Sequence, residues 1–438
     1  MPNTSGANLL EDLRWRGLLY QTTDESALIS HLSVETAQNP PPGGRLVYAG
    51  FDPTADSLTI GNLIPMLLLR RFQDAGHTPF VVMGGGTGLI GDPSGKDAER
   101  TLNTPETVQA NVEAQRPIFE RVLRFDGPNA CQIVNNADWL TPLGYVECLR
   151  DVGKHFSVNM MIQKESVRAR LQEREHGISY TEFSYMILQA YDFYRLHKDR
   201  NVTIQVGGSD QWGNIVAGID LIRRKQQAEA FAYTCPLVTK ADGGKFGKTE
   251  SGAIWLTANR TSPYAFRQFW LNCLDADVPR FLRFFTTMPR EEIESLEAQH
   301  EAQPGARIAH QALADHMTAM LHGPEEQQRA AAAAAALFSG DVAGLDEPTL
   351  AEVFEGVPSS EHPSASLDGD GLPLVDFLVE TSLAKSKRES REFLGAGAVS
   401  VNGSKVDGEA KLGRKDLLHG SIILLRRGKK SWHVTRWT

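Results

Sequence analysis

The 438-residue sequence predicts an α/β fold with a mainly parallel sheet, followed by a helical domain and a small α+β domain. Short apolar, β-prone runs alternate with helical stretches in the first part of the chain, which is the pattern of strand–helix–strand units. Residues 262–338 show only helical patterns, and residues 371–438 mix two helices with short strands. A chain of this length exceeds one hydrophobic core, so about three domains are expected.

Four apolar runs are the predicted strands of the first domain. They are residues 46–51, 77–85, 130–136 and 202–208. Predicted helices precede and follow each of these strands in the sequence. They cover residues 8–36 with a turn at 21–24, 58–75, 104–124, most of 141–200, and part of 209–225. Gly76 directly follows the second stretch, as a helix C-terminal cap residue does.

The second half of the chain changes character twice. Residues 262–338 are helical throughout and end in a run of alanines, a strong helix former without chemistry. Residues 339–370 carry one short amphipathic piece and are then rich in Pro, Ser, Gly and Asp, which predicts a linker. Residues 371–438 contain predicted helices at 372–383 and 386–397, then short strands.

Composition excludes several classes of protein. The hydrophobic content of 41% and charged content of 23% are ordinary for a soluble globular protein. The four cysteines are scattered without a CxxC pair, which argues against a zinc site or a disulfide framework and favours a cytoplasmic location. No apolar run approaches the roughly 20 residues that span a bilayer, and the N-terminus lacks the layout of a signal peptide. We therefore expect no protein-bound metal and no membrane association.

The charge is distributed unevenly along the chain. Residues 371–438 contain 13 Lys and Arg against 7 Asp and Glu, a net charge of +6, so the rest carries −15 of the overall −9. A basic tail on an acidic body is compatible with a polyanionic partner such as a nucleic acid, and equally with a merely solvated surface.

The stretch 48–65 places a polar turn between a strand and a helix. Pro53 fixes the backbone, and the Asp, Thr and Ser side chains around it can cap the free N–H groups of the helix. The positive end of the helix dipole then points at the carboxyl edge of the sheet, which is a general phosphate seat. A purely structural turn has the same pattern.

A glycine-rich turn follows the second strand over residues 84–96. It does not match a P-loop, because no glycine stands at the required spacing and Asp97 follows the lysine. It does supply a carboxylate, Asp92, and two cations, Lys96 and Arg100. Alone, it is as well explained by a structural Asp cap.

Three further groups of polar residues lie at predicted strand ends or on one helix face. Tyr185, Gln189 and Asp192 share a helical stripe that could line a pocket for a polar ligand or belong to the core. Gly208, Asp210 and Gln211 follow a strand, where an acidic residue can bind ribose hydroxyls. Lys245 and Lys248 lie on a glycine-rich loop, where lysines can approach a phosphate.

Together these segments closely resemble the bacterial tyrosyl-tRNA synthetases, a class I aminoacyl-tRNA synthetase family. PTADSLTIGN and KFGKT resemble the HIGH and KMSKS signatures of that class, and TEFSYMILQAYDF and GGSDQWGNI match the tyrosine and ribose segments. GKHFSVNMMIQKESVRARL resembles the dimer-forming insertion, and SKRESREFLGAGAVSVNGSKV resembles an S4-type RNA-binding module. The likeness covers nearly the whole chain.

The resemblance implies a division into domains. Residues 1–261 would form a Rossmann-like catalytic domain, with an insertion that carries dimer contacts at about 104–200 and a mobile KFGKT loop at 241–251. Residues 262–338 would form a helical anticodon-side domain, and residues 339–370 a linker. Residues 371–438 would form an S4-like RNA-binding domain.

The resemblance also assigns a role to each matching residue. The tyrosine substrate would contact Tyr48, Asp92, Tyr185, Gln189, Asp192 and Gln211. ATP, brought with Mg²⁺, would contact Gly50, Asp52, Gly61, Gly208, Asp210 and Lys248. Catalysis at the phosphates would involve Thr54, Thr59, Asn62, Lys96, Arg100, Lys245, Lys248 and Thr249. Structured RNA would contact Lys385, Lys387, Arg388, Arg391, Arg426 and Arg427.

The implied activity is tyrosine–tRNA ligation by a cytoplasmic homodimer with L-tyrosine, ATP and tRNA(Tyr) as partners. The chain departs from the family pattern where Thr59 and Asn62 replace the two histidines of the HIGH signature. Asparagine keeps a donor, whereas threonine loses reach. The main alternatives are a tryptophanyl-tRNA synthetase, which has the same architecture but no reason to keep Tyr48 with Asp192, and a non-enzymatic RNA-binding protein derived from a synthetase.

Overall fold

The computed structural model of the chain describes most of its 438 residues. The described ranges are 6–33, 44–94, 102–164, 167–168, 171, 177–241, 243–244, 246–249, 252–355, 357–428 and 431–438. The chain divides into two compact units, one of Met1–Thr261 with Leu271–Leu321 and one of Ser262–Trp270 with His322–Thr438.

A six-stranded sheet forms the centre of the first unit. Its strands are β1 Gln21–Thr22, β2 Leu46–Phe51, β3 Thr78–Met83, β4 Gln132–Asn135, β5 Val202–Gly208 and β6 Phe231–Cys235. They lie side by side in the order β1-β6-β5-β2-β3-β4, and all neighbours are parallel except the edge strand β1, which is antiparallel to β6. The predicted α/β class and the four predicted strands are confirmed, whereas β1 and β6 were not predicted.

Helices surround this sheet in the alternating order that the sequence predicts. They are Gly6–Trp15, Glu25–Leu32, Leu63–Asp74, Pro105–Val122, Ala137–Leu140, Tyr145–Asp151, Val158–Gln163, Tyr180–Arg200, Trp212–Gln226, Val278–Phe285, Arg290–Ala302 and Ile308–His322. Gly76 has a φ of +93°, as its predicted capping position requires. The helix expected from Leu58 begins later, with a 3₁₀ turn at Ile60–Asn62.

Burial on both faces of the sheet explains its apolar sequence. Every residue of β3 is buried, and Tyr48 of β2 packs edge-on against Phe193 of the helix Tyr180–Arg200. Phe80 and Ile222 belong to the same buried cluster. Such strands are parallel and covered by helices, so the free polar positions lie only at their carboxyl ends.

Two buried arginines anchor the helix Val278–Phe285 in the first unit. Arg16 donates to the carbonyls of Thr286 and Met288, and Arg71 donates to those of Phe284 and Thr286. Carbonyls at a helix C-terminus lack intrahelical partners and carry negative partial charge, so guanidinium groups satisfy both needs.

The second unit contains a five-stranded sheet in the order β12-β11-β14-β15-β9. Its strands are β9 Ser359–His362, β11 Val399–Val401, β12 Ser404–Lys405, β14 Ile422–Arg427 and β15 Ser431–Trp437. In the same unit β10 Leu372–Pro373 and β13 Lys411–Leu412 form a separate two-stranded ladder. The pair β7 Lys248–Thr249 and β8 Gly252–Ala253 forms another such ladder in the first unit. The helices of the second unit are Pro263–Leu271, Pro324–Ser339, Glu347–Val353, Leu374–Glu380 and Lys387–Gly395.

The segment predicted as a linker takes part in this second unit. Within residues 339–370, Glu347–Val353 is helical and β9 pairs in parallel with β15. Leu350 and Val353 are buried against Ile422 and Leu424 of β14. The compositional signal of 359–371 therefore coincides with an edge strand rather than with an unpaired connection. No described helix of the chain is both long and apolar enough to cross a membrane.

Candidate active site

A cavity of about 530 Å³ opens at the carboxyl ends of β2, β3 and β5 in the first unit. Its wall includes residues from all the segments that the sequence singled out in residues 48–62, 84–94, 185–192 and 207–211. The predicted residues that line it are Tyr48, Gly50, Asp52, Thr54, Thr59, Gly61, Asn62, Asp92, Tyr185, Gln189, Asp192, Gly208, Asp210 and Gln211.

The predicted cations of the site cannot be placed in the same way. Lys96, Arg100 and Lys245 lie outside the residues that the structure describes, as do the side chains of Lys248 and Thr249. Phe246, which follows Lys245 in the sequence, packs on Phe281 and Phe285, with ring centroids 5.1 Å apart in both pairs.

One end of the cavity contains a buried carboxylate. Asp192 accepts hydrogen bonds from Asn136 Nδ2 at 2.9 Å and from Trp139 Nε1 at 2.7 Å. Burial raises the pKa of Asp192 to about 7, although both hydrogen bonds oppose the shift. Asp192 is therefore close to half-ionised at neutral pH, and its charge state is sensitive to its donors.

Two polar atoms beside this carboxylate lack a hydrogen-bond partner among the described residues. They are the hydroxyl of Tyr48 and Oε1 of Gln205, which stand opposite each other on β2 and β5. Burial raises the pKa of Tyr48, and nearby Asp192 adds to the shift, so its hydroxyl keeps its proton. An unpaired buried polar atom costs about 1–3 kcal/mol. This end of the cavity thus suits a ligand that carries a polar group.

A second carboxylate, the half-buried Asp52, lies at the end of β2. Its Oδ1 accepts from Thr87 Oγ1 at 2.7 Å, and its Oδ2 accepts from the Tyr185 hydroxyl at 2.8 Å. Burial, followed by the charge of Asp52, raises the pKa of Tyr185 and keeps it a donor. A side chain on Gly84 would collide with Asp52 and Thr87, so this position requires glycine.

Asn136 joins the two carboxylates. Its Nδ2 donates both to Asp192 and, at 3.0 Å, to Thr87 Oγ1, whose own proton goes to Asp52. Its Oδ1 accepts from the backbone N–H of Gly86 at 2.7 Å. The asparagine therefore fixes the glycine-rich turn and both carboxylates through one carboxamide group.

A row of amides lies between the carboxylates and the mouth of the cavity. Gln211 Nε2 donates to Asp92 Oδ2 at 2.7 Å, and Gln189 Nε2 donates to Gln211 Oε1 at 3.2 Å. Asn214 Nδ2 in turn donates to Gln189 Oε1 at 3.0 Å. Burial raises the pKa of Asp210 at the same strand end, and Asp92 raises it further.

The polar turn at 52–57 is held from outside by the helix Pro105–Val122. Asn111 Nδ2 donates to the carbonyl of Pro53 at 3.0 Å, and Gln115 Nε2 donates to that of Ala55 at 2.8 Å. Both side chains are buried. These two hydrogen bonds occupy the carbonyl oxygens of Pro53 and Ala55 and hold the turn against the helix.

Thr59 and Asn62 are hydrogen-bonded to each other. The hydroxyl and the backbone N–H of Thr59 both donate to Asn62 Oδ1, at 3.0 and 3.1 Å. Thr59 is also paired with Trp255 in a short antiparallel bridge. Because two donors occupy Asn62 Oδ1, its Nδ2 remains as the group available to a ligand in the cavity.

Comparison with known proteins identifies the family to which the chain belongs. Residues 45–339 match the family model described as tRNA synthetases class I (W and Y), and residues 349–435 match that of a Tyrosine--tRNA ligase SYY-like C-terminal domain. A tyrosine–tRNA ligase of Geobacillus kaustophilus is 50% identical over 433 residues, which are 98% of this chain and 100% of that protein. The chain belongs to the tyrosine–tRNA ligase family.

Other members of the family show the same extent of likeness. The tyrosine–tRNA ligase of Aliivibrio fischeri is 49% identical over 437 residues, 99% of this chain and 100% of that protein. A crystal structure of a C-terminally truncated mitochondrial tyrosyl-tRNA synthetase from Aspergillus nidulans has a TM-score of 0.66 and 27% identity, covering 75% of this chain and 94% of that chain. Membership of the family entails ATP as a substrate.

The basic residues expected to contact RNA fall into two groups in this family member. Lys385, Lys387, Arg388 and Arg391 are exposed, although Lys387 pairs with Asp376 and Arg388 with Glu392. Arg426 and Arg427 instead stack on aromatic rings within the unit. Arg426 lies 4.9 Å from the centroid of Trp432, and Arg427 lies 5.0 Å from that of Phe393 and donates to the carbonyl of Leu383.

Sequence reasoning missed five residues of the site. They are Thr87, Asn136, Trp139, Gln205 and Asn214. The available signal was position: Asn136 and Gln205 lie in or just after predicted strands, where polar residues are unexpected in a buried sheet. Among the described residues, no group of three or more His, Cys, Asp or Glu could hold a metal ion.

Proposed function

We propose that this protein activates L-tyrosine with ATP to give tyrosyl-adenylate and pyrophosphate, and then transfers the tyrosyl group to the 3′ end of tRNA(Tyr). The observation that carries the proposal is the hydroxyl of Tyr48, which has no hydrogen-bond partner among the described residues and lies in one cavity with the carboxylate of Asp192, the amides of Gln189 and Gln211 and the strand-end glycines. A phenol entering there can donate to Asp192 and accept from Tyr48, which would satisfy all three groups.

The rest of the tyrosine substrate fits the opposite wall. Its α-ammonium would lie among three acceptors from residues that line the cavity. They are the carboxylate of Asp92, the hydroxyl oxygen of Tyr185 and the side-chain oxygen Oε1 of Gln189. Phenylalanine would leave the hydroxyl of Tyr48 and the carboxylate of Asp192 unpaired, and the tyrosine enzyme of this class is itself the standard example of such rejection without editing. We accordingly expect no editing domain.

The nucleotide would occupy the part of the cavity nearest the polar turn. The adenosine would contact Gly50, Gly61 and Gly208, which leave room for close approach, and its ribose would bond to Asp210. Asp52 would orient the same region through its bonds to Thr87 and Tyr185.

The chemistry needs no nucleophile from the protein. A carboxylate oxygen of tyrosine attacks the α-phosphorus of ATP, the bond to the bridging oxygen breaks, and pyrophosphate leaves with its Mg²⁺. Gln211 would lie near the attacking carboxylate. The phosphates would meet the helix start at Thr54, Thr59 and Asn62. The remaining charge would be neutralised by Lys96, Arg100, Lys245 and Lys248, and Thr249 would donate a hydrogen bond to the same phosphates. A ribose hydroxyl of the tRNA then attacks the adenylate carbonyl, and AMP leaves.

The other parts of the chain complete this proposal. We place the dimer contacts of a cytoplasmic homodimer in the insertion at about 104–200. Large apolar side chains there are exposed in the single chain, including Tyr145 at 66%, Val146 at 75% and Tyr180 at 61%, which supports a covering partner. Residues 262–338 would face the anticodon side of the tRNA, and residues 371–438 would bind its backbone.

Tyrosine-dependent exchange between pyrophosphate and ATP tests the activation step. We expect exchange with tyrosine and none above background with tryptophan or phenylalanine at equal concentration. Exchange with tryptophan alone would assign the protein to the tryptophan enzymes of the class. Absence of exchange with every amino acid, in a sample that binds tRNA, would leave only an RNA-binding function.

Removing exposed charge from the tail tests RNA binding without disturbing the fold. The double variant Lys385→Ala/Arg391→Ala should keep full pyrophosphate exchange, weaken tRNA binding, and lower the slope of log Kd against log salt by about 2. Lys198→Ala/Arg200→Ala removes the same exposed charge from the first unit and is the matched control. Equal loss of tRNA affinity in both double variants would refute a special role for the tail.

A further inference from the structure

Asn214 stands behind the tyrosine pocket, in the first turn of the helix Trp212–Gln226. It is 6% exposed and is not one of the described residues that line the cavity. Its Nδ2 nevertheless donates to Oε1 of Gln189, which does line the cavity, at 3.0 Å. Any influence of Asn214 on a ligand must therefore pass through Gln189.

The direction of every hydrogen bond in the amide row follows from its last member. A carboxylate oxygen accepts hydrogen bonds, so the group of Gln211 that faces Asp92 Oδ2 is Nε2. Oε1 of Gln211 then faces Gln189, whose own Nε2 must donate. This leaves Oε1 of Gln189 facing Asn214, where only a donor satisfies it.

We propose that Asn214 is a positioning residue for the α-ammonium group of the amino acid substrate, an inference that rests on the proposed function. By donating to Gln189 Oε1, it holds that oxygen in place with one lone pair still free for the ammonium. The ammonium would then meet three acceptors, namely Asp92, the hydroxyl oxygen of Tyr185 and Gln189 Oε1.

Without this donor the amide of Gln189 is held on one side only, by its 3.2 Å hydrogen bond to Gln211 Oε1. The two ends of a carboxamide have nearly the same shape, so the amide of Gln189 can turn over at little steric cost. It would then present Nε2 to the ammonium, a donor facing a cation. The loss should fall on ligands that carry the ammonium and spare those that lack it.

Two substitutions distinguish positioning from packing. Asn214→Ala removes the donor and leaves space, whereas Asn214→Asp keeps the shape and replaces the donor by an acceptor. A packing role predicts that Asn214→Asp resembles the native protein. A positioning role predicts that Asn214→Asp, measured near pH 8, is at least as damaging as Asn214→Ala, because the new carboxylate attracts Nε2 of Gln189 away from Gln211 and turns the amide of Gln189 over.

The experiment measures inhibition or dissociation constants for two ligands on the full-length protein. One ligand is L-tyrosine, and the other is 3-(4-hydroxyphenyl)propanoate, which lacks only the amino group. We expect Asn214→Ala to weaken the binding of tyrosine by about 3- to 12-fold, as for the loss of one hydrogen bond. The dissociation constant of the desamino ligand should change less than twofold, and the KM for ATP should not change.

Asn129→Ala is the matched control, because Asn129 also donates from an internal position, to the carbonyls of Gln73 and His77, remote from the cavity. This control variant should bind both ligands with native affinity. Equal weakening of both ligands by Asn214→Ala, or native behaviour of Asn214→Asp, would overturn the inference. A native protein that shows no tyrosine-dependent exchange would instead overturn the proposed function, so the two failures are distinct.

Discussion

Replacing Asn136 by alanine tests whether the buried donors control the charge of Asp192. Asn136 donates one hydrogen bond to this carboxylate, at 2.9 Å, and Trp139 donates another, at 2.7 Å. Burial raises the pKa of Asp192 to about 7 against the effect of both donors. Asn136→Ala should therefore raise this pKa further.

The size of the effect follows from general magnitudes. A hydrogen bond to a charged group contributes about 1.5–3 kcal/mol, which corresponds to a rise of about 1–2 pKa units. Near pH 7.5 the ionised fraction of Asp192 would fall from about three-quarters to between about one-quarter and a few per cent. If the phenol of tyrosine donates to the ionised carboxylate, the KM for tyrosine should rise by about 3- to 25-fold at that pH.

The pH dependence carries the test, because the defect should shrink as the carboxyl group of the variant ionises. The group has a raised pKa, so its charged form is regained only as pH increases through that value. Near pH 9 the ratio of variant to native KM should fall to nearly 1 for a pKa rise of about one unit and to about twofold for a rise of about two units. The assay is tyrosine-dependent pyrophosphate exchange from about pH 6.5 to 9, with the native protein measured at each pH so that titration of the substrate cancels.

Asn135→Ala is the control for this measurement. Asn135 precedes Asn136 and accepts from the backbone N–H of Gly85 at 3.2 Å, so it also supports the glycine-rich turn without contacting Asp192. Its KM ratio should be small and independent of pH. A ratio for Asn136→Ala that stays constant across the pH range would refute the reasoning, since a loss of packing or turn geometry does not titrate.

Three further outcomes are expected. Asp192→Ala should reduce pyrophosphate exchange more than Lys154→Ala in the insertion does. Near-normal exchange in Asp192→Ala would contradict the proposal that Asp192 binds the substrate tyrosine. Thr59→Val keeps the shape but removes the hydroxyl that donates to Asn62 Oδ1, so kcat for exchange should fall by about 2- to 10-fold at unchanged KM for tyrosine, whereas a native kcat would show that the pair is not used. Burial lowers the pKa of His77 to about 4, so the unfolded chain binds the proton first as pH falls below about 6.5. The midpoint of thermal unfolding should therefore fall between about pH 6.5 and 4, and His77→Gln should flatten that slope.

The strands and the polar strand ends could be predicted because local patterns determine them. A run such as residues 46–51 is apolar at every position and is followed by Pro53, so its end is visible in the sequence. The strand Phe231–Cys235 escaped prediction because its five residues have no turn residue directly before them and merge with the apolar stretch that follows. The strand Ser359–His362 escaped because an edge strand can be polar on both faces.

The roles of the arginines in the second unit could not be predicted from charge. Arg426 and Arg427 are adjacent to each other and close to Lys429, which is the pattern of a basic patch. Only the fold shows that their guanidinium groups lie over Trp432 and Phe393. Arginine stacks readily on aromatic rings, so a cluster of positive charge in a sequence gives an upper limit to the charge that a partner can reach.

The bond network between Asp52 and Asp192 shows why the site as a whole depends on the fold. Thr87 and Asn136 connect the two carboxylates, and each of the four residues comes from a different segment of the chain. Asn136 uses one N–H proton for Asp192 and the other for Thr87 Oγ1, and the hydroxyl of Thr87 passes its own proton to Asp52. Local propensity gives no weight to such a chain of donors, because its members are neutral, buried and far apart in sequence. The two carboxylates of the cavity are therefore coupled through residues whose sequence context marks them only as polar positions at strand ends.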